Sequence, residues 1–146
     1  MIRILLVLLL ISSSATGQDN MVKYTFTKSF DEVVEAAKQA MLQKRLKVYN
    51  VIDFSKNEDG NISLMRPTTA ILFGDPRLEE ELVKCHQESA VTLPLRVLIW
   101  QDAEQVNWIG FIGSSENNGK YVMDNCQREI DKIYKLLNDI CLKAAS

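Results

Sequence analysis

The sequence predicts an α+β protein in which an antiparallel sheet packs on a long C-terminal helix. Near the C-terminus, apolar residues recur at steps of three and four, as on one face of a helix: Met123, Cys126, Ile130, Ile133, Leu137 and Ile140. Upstream, short segments rich in β-branched and aromatic residues are separated by polar turns. Strands that pair through hairpins, with helices gathered on one face, define this class.

The first predicted strand is Lys23–Thr27, which carries two aromatic residues and two threonines. Ser29 then begins a helix, because Glu32 lies three residues later and completes a capping box. The helix is expected to end near Lys44. Its apolar residues fall on one face: Phe30, Val33, Val34, Ala37 and Met41.

The second predicted strand is Leu46–Phe54, in which Leu46, Val48, Ile52 and Phe54 form the inner face. Asn50 interrupts that face, so a small bulge is expected there. A polar turn follows at Ser55–Asn61. Ile62–Arg66 and Thr68–Phe73 are then either one bent strand or two short ones, because Pro67 removes a ladder donor.

Asp75 and Pro76 predict the start of a short helix. The aspartate side chain can accept from the first free amides, and proline fits where no donor is needed. Leu95–Trp100 and Val106–Ile112 are then predicted to form a hairpin joined by Gln101–Gln105. The full order is strand, helix, four strands interrupted by a short helix, and a long helix.

Residues 1–17 are typical of an export signal. Arg3 precedes the apolar run 4–11, which is too short to span a bilayer, and small residues follow it. The alternative, an uncleaved membrane anchor, requires a longer segment. We therefore predict a single α+β domain over residues 18–146, periplasmic or secreted, with no membrane contact after cleavage.

The charge of the chain limits its partners. The formal net charge is −2, and loss of Arg3 makes it more negative. Nucleic acids and anionic membranes require a concentrated basic patch, so neither is expected as a partner. Lys44, Arg45 and Lys47 do cluster, but at a helix end, where cations complement exposed carbonyls.

Export would place the three cysteines in an oxidising compartment. Cys126 and Cys141 are about 22 Å apart along one predicted helix and cannot bond to each other. The possible pairs are Cys85–Cys126 and Cys85–Cys141. We expect instead three free thiols, because free cysteine packs as a small hydrophobe.

The order of several short motifs resembles the family called domain of unknown function 302, over roughly Tyr24–Ile112. The motifs are Ser29-Phe30, Ile52-Asp53, Arg66-Pro67-Thr68, Phe73-Gly74-Asp75-Pro76 and Leu93-Pro94-Leu95-Arg96. The resemblance implies a fold similar to the TATA-binding-protein-like arrangement, a curved antiparallel sheet around a long C-terminal helix. It implies no reaction. Asp75 stands where the family more often has asparagine, and the cysteines that some members carry beside the two proline motifs are absent.

Three charged residues are candidates for a site. Asp53 is a general base or ligand contact if it points into a cleft, and otherwise it faces solvent or caps a turn at the end of its strand. Asp75 is interpreted first as a helix N-cap, because its carboxylate would repel an anion at the helix N-terminus. Arg96 is either a structural partner of one of these aspartates or a clamp for a ligand carboxylate.

Trp100 and Trp108 are predicted cross-strand neighbours in the late hairpin. We favour core or dimer packing for this pair over a ligand platform. Cys85 and His86 make a poor metal site, because adjacent side chains diverge and two further ligands would be needed. We predict no metal and no cofactor.

These features favour an exported, non-catalytic binding or interaction domain, homodimeric, with a small molecule or a protein as ligand. The candidate ligand-binding residues are Asp53, Asp75, Arg96, Trp100 and Trp108. Two alternatives stay open: a small hydrolase or isomerase that uses Asp53 and Arg96 in a cleft, and a periplasmic metal or redox handler that uses Cys85 and His86. Convergence of Asp53, Asp75 and Arg96 on one pocket would favour the enzyme.

Overall fold

The computed structural model describes residues 21–56, 65–113 and 126–146, which form an antiparallel sheet with three α-helices. The predicted export signal, residues 1–17, lies outside these ranges. In chain order the elements are β1 (Met21–Thr25), α1 (Phe30–Gln43), β2 (Lys47–Asp53), β3 (Thr68–Gly74), α2 (Pro76–Cys85), a 3-10 helix (Gln87–Thr92), β4 (Leu95–Gln101), β5 (Asn107–Ile112) and α3 (Gln127–Ala145). None of the described helices is long and apolar enough to cross a bilayer.

The five described strands lie in the order β1-β5-β4-β3-β2, and every neighbouring pair is antiparallel. β4 and β5 form the predicted late hairpin, and α1 carries the chain from β1 at one edge to β2 at the other. The predicted α+β class, with its antiparallel sheet, short extra helix and C-terminal helix, is confirmed.

The core lies between one sheet face and the two long helices, α1 and α3. From β3 and β4, Ile71 faces Val97 across the ladder, and both side chains are fully buried. From α3, Ile140 and Cys141 are buried in the same core, and Ile133 packs against it at partial burial. The C-terminal helix therefore supports the sheet, as its periodicity predicts.

The N-terminus of α1 carries the predicted capping box. The Ser29 amide donates to Glu32 Oε2 at 2.9 Å, and the Glu32 amide donates to Ser29 Oγ at 3.4 Å. The helix ends with Lys44, whose Nζ lies 3.2 Å from Asp139 Oδ2 of α3. Arg45 follows in the left-handed region, with φ of 58°. Local hydrogen bonds thus cap both ends of this helix, and the ion pair of Lys44 with Asp139 joins its C-terminal end to α3.

The bulge predicted near Asn50 is present, since the β2–β3 register shifts between Val48 and Asn50. Its consequence differs from the prediction. Val48 lies opposite Phe73 on the core side, but Ile52 lies opposite Ala70, on the other side of the sheet. The extra residue reverses the alternation, so the expectation that Val48, Ile52 and Phe54 share an inner face was wrong.

Other boundaries moved by a few residues. The first strand begins at Met21 rather than Lys23, and α3 begins at Gln127, so Cys126 is its N-cap. Met123, which was predicted on the same helix face, lies outside the described residues, as does most of the predicted strand segment before Pro67. β3 itself starts at Thr68, directly after that proline.

Cys85 and Cys126 form a disulfide, with a Cα–Cα distance of 5.8 Å. The expectation that all three cysteines are free was therefore wrong for this pair. Cys85 ends α2 and Cys126 precedes α3, and packing of α2 on α3 brings the two helix ends together. Cys141 is free and buried.

Candidate functional site

The sheet has a second face, opposite α1 and α3, that we call the outer face. Its central side chains come from alternate positions of β3, β4 and β5. Trp108 lies opposite Trp100, which lies opposite Thr68, and Leu98 lies opposite Ala70. The tryptophans, Leu98 and Ala70 are half-buried rather than enclosed. The outer face, which neither α1 nor α3 covers, therefore presents an apolar surface.

The two tryptophans are cross-strand neighbours, as predicted. Their ring centroids are 6.3 Å apart and their planes differ by 17°, so the rings stack. Lys23 Nζ of β1 lies 5.1 Å from the Trp108 ring centroid, a cation–π distance. Trp108 is thus held between a lysine and Trp100. Packing in the sheet core, one of the two interpretations favoured for this pair, was wrong, because both rings lie on the outer face.

Asp102, in the turn between β4 and β5, fixes the orientation of Trp108. Its Oδ2 accepts from Trp108 Nε1 at 2.7 Å, and its Oδ1 accepts from the amides of Val106 at 2.8 Å and Glu104 at 3.0 Å. The hydrogen bond from Trp108 is the largest cause that lowers the pKa of Asp102. Sequence reasoning missed this residue, although an aspartate at a hairpin turn beside two tryptophans was a visible signal.

Beside Trp100 lies an open cleft of about 520 Å³. It is lined by Met65, Arg66, Thr68, Leu98, Trp100, Gln101, Asp102 and Ala103. The backbone amide of Gln101 donates to the backbone carbonyl of Pro67 at 3.0 Å. This hydrogen bond fixes the segment before β3 against the end of β4. The cleft is therefore built where two non-adjacent segments meet, and Arg66 was not among the predicted site residues.

Asp53 caps a turn at the end of β2. Its Oδ1 accepts from the Ser55 amide at 3.0 Å and from the Ser55 hydroxyl, and its Oδ2 lies 3.2 Å from Lys56 Nζ. The Ser55 hydroxyl is the first cause that lowers the pKa of Asp53. The carboxylate is thus engaged by its own turn, which is the structural alternative considered for it.

Asp75 is the N-cap of α2, as predicted. Its Oδ1 accepts from the Arg77 amide at 3.0 Å, and Pro76 occupies the first helical position. Close by, the Tyr49 hydroxyl donates to Glu79 Oε2 at 3.1 Å, and both side chains pack against Gly74. The side chains around the start of α2 are therefore engaged in contacts with one another.

Asp53, Asp75 and Arg96 do not converge. Asp53 lies opposite Thr69, on the core side of the sheet, whereas Arg96 lies opposite Leu72 on the outer face. Asp75 follows β3 six residues beyond Thr69, a distance of about 20 Å along a strand. No hydrogen bond or ion pair of the Arg96 side chain with another described residue is present, so neither predicted pairing is formed.

Cys85 and His86 do not form a ligand pair. The Cys85 sulfur is bonded to Cys126, so it is not a thiolate in this state. His86 Nδ1 is buried and has no hydrogen-bond partner among the described residues. Within residues 21–56, 65–113 and 126–146, no group of three His, Cys, Asp or Glu side chains is placed to hold a metal ion.

Comparison with known proteins places the chain in a family. The family model named Domain of unknown function DUF302 matches residues 22–140. A crystal structure of an uncharacterized conserved DUF302 protein from Bacillus stearothermophilus is similar in fold, with a TM-score of 0.67 and 13% identity, and it covers 87% of this chain and 98% of that one. No curated protein matches the chain. Because the family model spans most of the sequence, the chain belongs to the DUF302 family.

Proposed function

We propose that this DUF302 protein is an exported, non-catalytic binding domain and that the outer face of its sheet is the binding surface. The observation that carries the proposal is the stacked Trp100–Trp108 pair beside an open cleft. Tryptophan rings offer a large apolar contact area, and their half-exposed position leaves that area available to a partner. Exposed apolar patches of this kind mark interaction surfaces.

The scatter of the charged candidates supports binding over catalysis. A catalytic acid, base or clamp must reach a shared substrate atom, so the groups that act together lie close to each other. Asp53 and Asp75 instead accept hydrogen bonds from their own turn and helix end, about 20 Å apart along the sheet. Arg96 lies on the other sheet face from Asp53.

Two features support the exported location. The N-terminal segment 1–17 has the charged start, apolar core and small residues of a cleavable signal. The Cys85–Cys126 disulfide fits the same compartment, because such bonds persist in oxidising environments such as the periplasm or the cell exterior.

The proposal includes self-association through β2. This strand lies at an edge of the described sheet. Two of its apolar residues are exposed, Tyr49 by 40% of its surface and Val51 by 39%. An exposed apolar edge strand is a ready template for pairing with another strand. A second copy added there would extend the sheet and leave the Trp100–Trp108 surface free.

Native mass spectrometry of the secreted full-length gene product tests these points together. We expect a mature chain that begins at Gln18, a dimer, and a co-purified small molecule that is depleted in Trp100→Ala. Val91→Ala serves as a control, because Val91 is 65% exposed, lies in the 3-10 helix and lines a separate cleft that shares no residue with the one beside Trp100. An uncleaved N-terminus would contradict export, a monomer would contradict self-association, and equal retention of ligand by Trp100→Ala would exclude the outer face as its site.

A further inference from the structure

The cleft beside Trp100 has one charged side chain, Arg66, whose donors form no hydrogen bond with the residues that the structure describes. Arg66 lines the cleft and is exposed, and its side chain makes no hydrogen bond or ion pair with another described residue. A guanidinium carries five N–H donors in a planar fork that matches a carboxylate. The opening of the cleft therefore offers unused donors for an anionic group.

The one carboxylate that lines the cleft, Asp102, interacts with Arg66 through charge alone, since the nearby Arg66 charge is one of the causes that lower the pKa of Asp102. Asp102 accepts three hydrogen bonds, from the Trp108 indole and from the amides of Val106 and Glu104. These donors hold the carboxylate in the hairpin turn, and no hydrogen bond from Arg66 is added to them. Gln101, the other polar side chain of this strand end, donates through Nε2 to Asn107 Oδ1 at 3.2 Å.

The rest of the cleft is apolar and held in position. One face of Trp100 stacks on Trp108, whose own orientation is set by the hydrogen bond to Asp102. Thr68, which carries a methyl group, lies opposite Trp100 on β3, and Leu98 lies two residues before Trp100 on the same face of β4. A flat apolar group can therefore contact a preorganised surface, which limits the entropy lost on binding.

We propose that this cleft binds small organic acids whose flat apolar body lies against Trp100 and whose carboxylate pairs with the Arg66 guanidinium. This inference rests on the proposed binding function and adds the chemical class of the ligand. The apolar body is recognised by Trp100 and Leu98, and the single anionic group is recognised by the unused donors of Arg66. Neutral analogues of the same shape lose the charge-assisted hydrogen bonds.

The probes are 2-naphthoate and its neutral analogue 2-naphthamide, added to the mature secreted protein. The chain has two tryptophans, so a ¹H–¹⁵N spectrum shows two indole signals and reports the site directly. We expect 2-naphthoate to shift the Trp100 indole signal and to bind at least about tenfold more tightly than 2-naphthamide. Arg66→Gln is expected to weaken 2-naphthoate by the same factor and to leave 2-naphthamide unchanged.

Arg77→Gln is the matched control, because Arg77 is also exposed but lies on α2, away from the outer face. It should bind 2-naphthoate as the wild type does, and the spectra also show that each variant is folded. Equal affinity for the two probes, or unchanged 2-naphthoate binding in Arg66→Gln, overturns the inference while a binding function at Trp100 stands. Absence of any Trp100 shift with either probe overturns the inference at this cleft, and a ligand co-purified in a Trp100-dependent manner would still support the broader proposal.

Discussion

The indole Nε1 of Trp108 donates a 2.7 Å hydrogen bond to Asp102 Oδ2, and so ties a strand residue to the turn that precedes its strand. The same carboxylate accepts two turn amides through Oδ1. One side chain therefore shapes the β4–β5 turn and orients the aromatic pair of the outer face. A substitution of Asp102 should therefore affect both the conformation of the β4–β5 turn and the orientation of Trp108.

Asp102→Asn should reduce the loss of folding stability that accompanies acidification. The folded pKa of Asp102 lies below its ordinary value, so its stabilising contribution is complete above the unfolded pKa, near 3.9, and is lost as the pH falls through the folded pKa. Asparagine cannot titrate, and it removes the charge that Trp108 contacts. Urea unfolding at pH 7 and pH 3 should show a smaller loss of stability on acidification in Asp102→Asn than in the wild type.

Part of the acid sensitivity should survive in that variant. Hydrogen bonds from Ser29 lower the pKa of Glu32, and those from Ser55 lower the pKa of Asp53, so both carboxylates destabilise the fold when they are protonated. The same loss on acidification in wild type and Asp102→Asn would contradict the role assigned to Asp102.

Removal of the disulfide in Cys85→Ser/Cys126→Ser should lower the free energy of unfolding by about 4 kcal/mol, the loop-entropy value for a crosslink of this span. The bond joins residues 41 apart and holds the end of α2 to the start of α3. Urea unfolding of the double variant, compared with the oxidised wild type, measures the difference.

Cys141 differs from Cys85 and Cys126 because it is a free, buried thiol. Burial raises the pKa of the Cys141 thiol to about 12, so it stays protonated and unreactive in the folded protein. Iodoacetamide should add no label to the native oxidised protein and one label after unfolding without reductant. Two additional labels should appear only after reduction, and three labels without reductant would show that the disulfide is absent.

Two glycines should respond differently to alanine. A Cβ at Gly110 would lie 2.5 Å from the Val22 carbonyl oxygen, which is backbone of β1, so Gly110→Ala should cost about 1–3 kcal/mol by forcing the edge strand away. A Cβ at Gly74 would meet the ends of two side chains, that of Glu79 most closely and that of Tyr49 with Cε2 at 2.9 Å, and no backbone atom is among these contacts. Adding Glu79→Ala should therefore recover much of the stability lost in Gly74→Ala.

The matched test at Gly110 is Lys23→Gly, because Lys23 Cβ also lies 3.0 Å from the atom added by Gly110→Ala and glycine removes that Cβ. It should recover little, since the nearest obstacle is the Val22 backbone. Thermal or urea unfolding of the single and double variants gives both comparisons. Equal recovery at the two glycines would show that the backbone contact is not the cause.

Ile140→Ala should cost about 2–5 kcal/mol, because its side chain is fully buried between α3 and the sheet. Asp53→Ala should cost about 1 kcal/mol or less, since it removes only the partly exposed cap of its own turn. Unfolding free energies from urea titration compare the two. Similar losses would mean that α3 is not the support of the sheet or that Asp53 does more than cap a turn.

The local elements could be predicted from the sequence because their determinants lie within a few residues of each other. The Ser29–Glu32 capping box, the Asp75-Pro76 helix start and the period of the C-terminal helix are all short-range features. The cross-strand position of Trp100 and Trp108 also followed, since one short turn joins their strands.

Tertiary structure alone decided the rest, because it depends on how distant segments align. The Cys85–Cys126 bond requires α2 to pack on α3, and the side of Ile52 depends on a one-residue bulge in the β2–β3 register. Arg66 and Trp100 share a cleft because β3 pairs with β4, so that Thr68 lies opposite Trp100 and the backbone amide of Gln101 donates to the Pro67 carbonyl. Sequence periodicity specifies which residues prefer burial, but the pairing register specifies which side chains become neighbours.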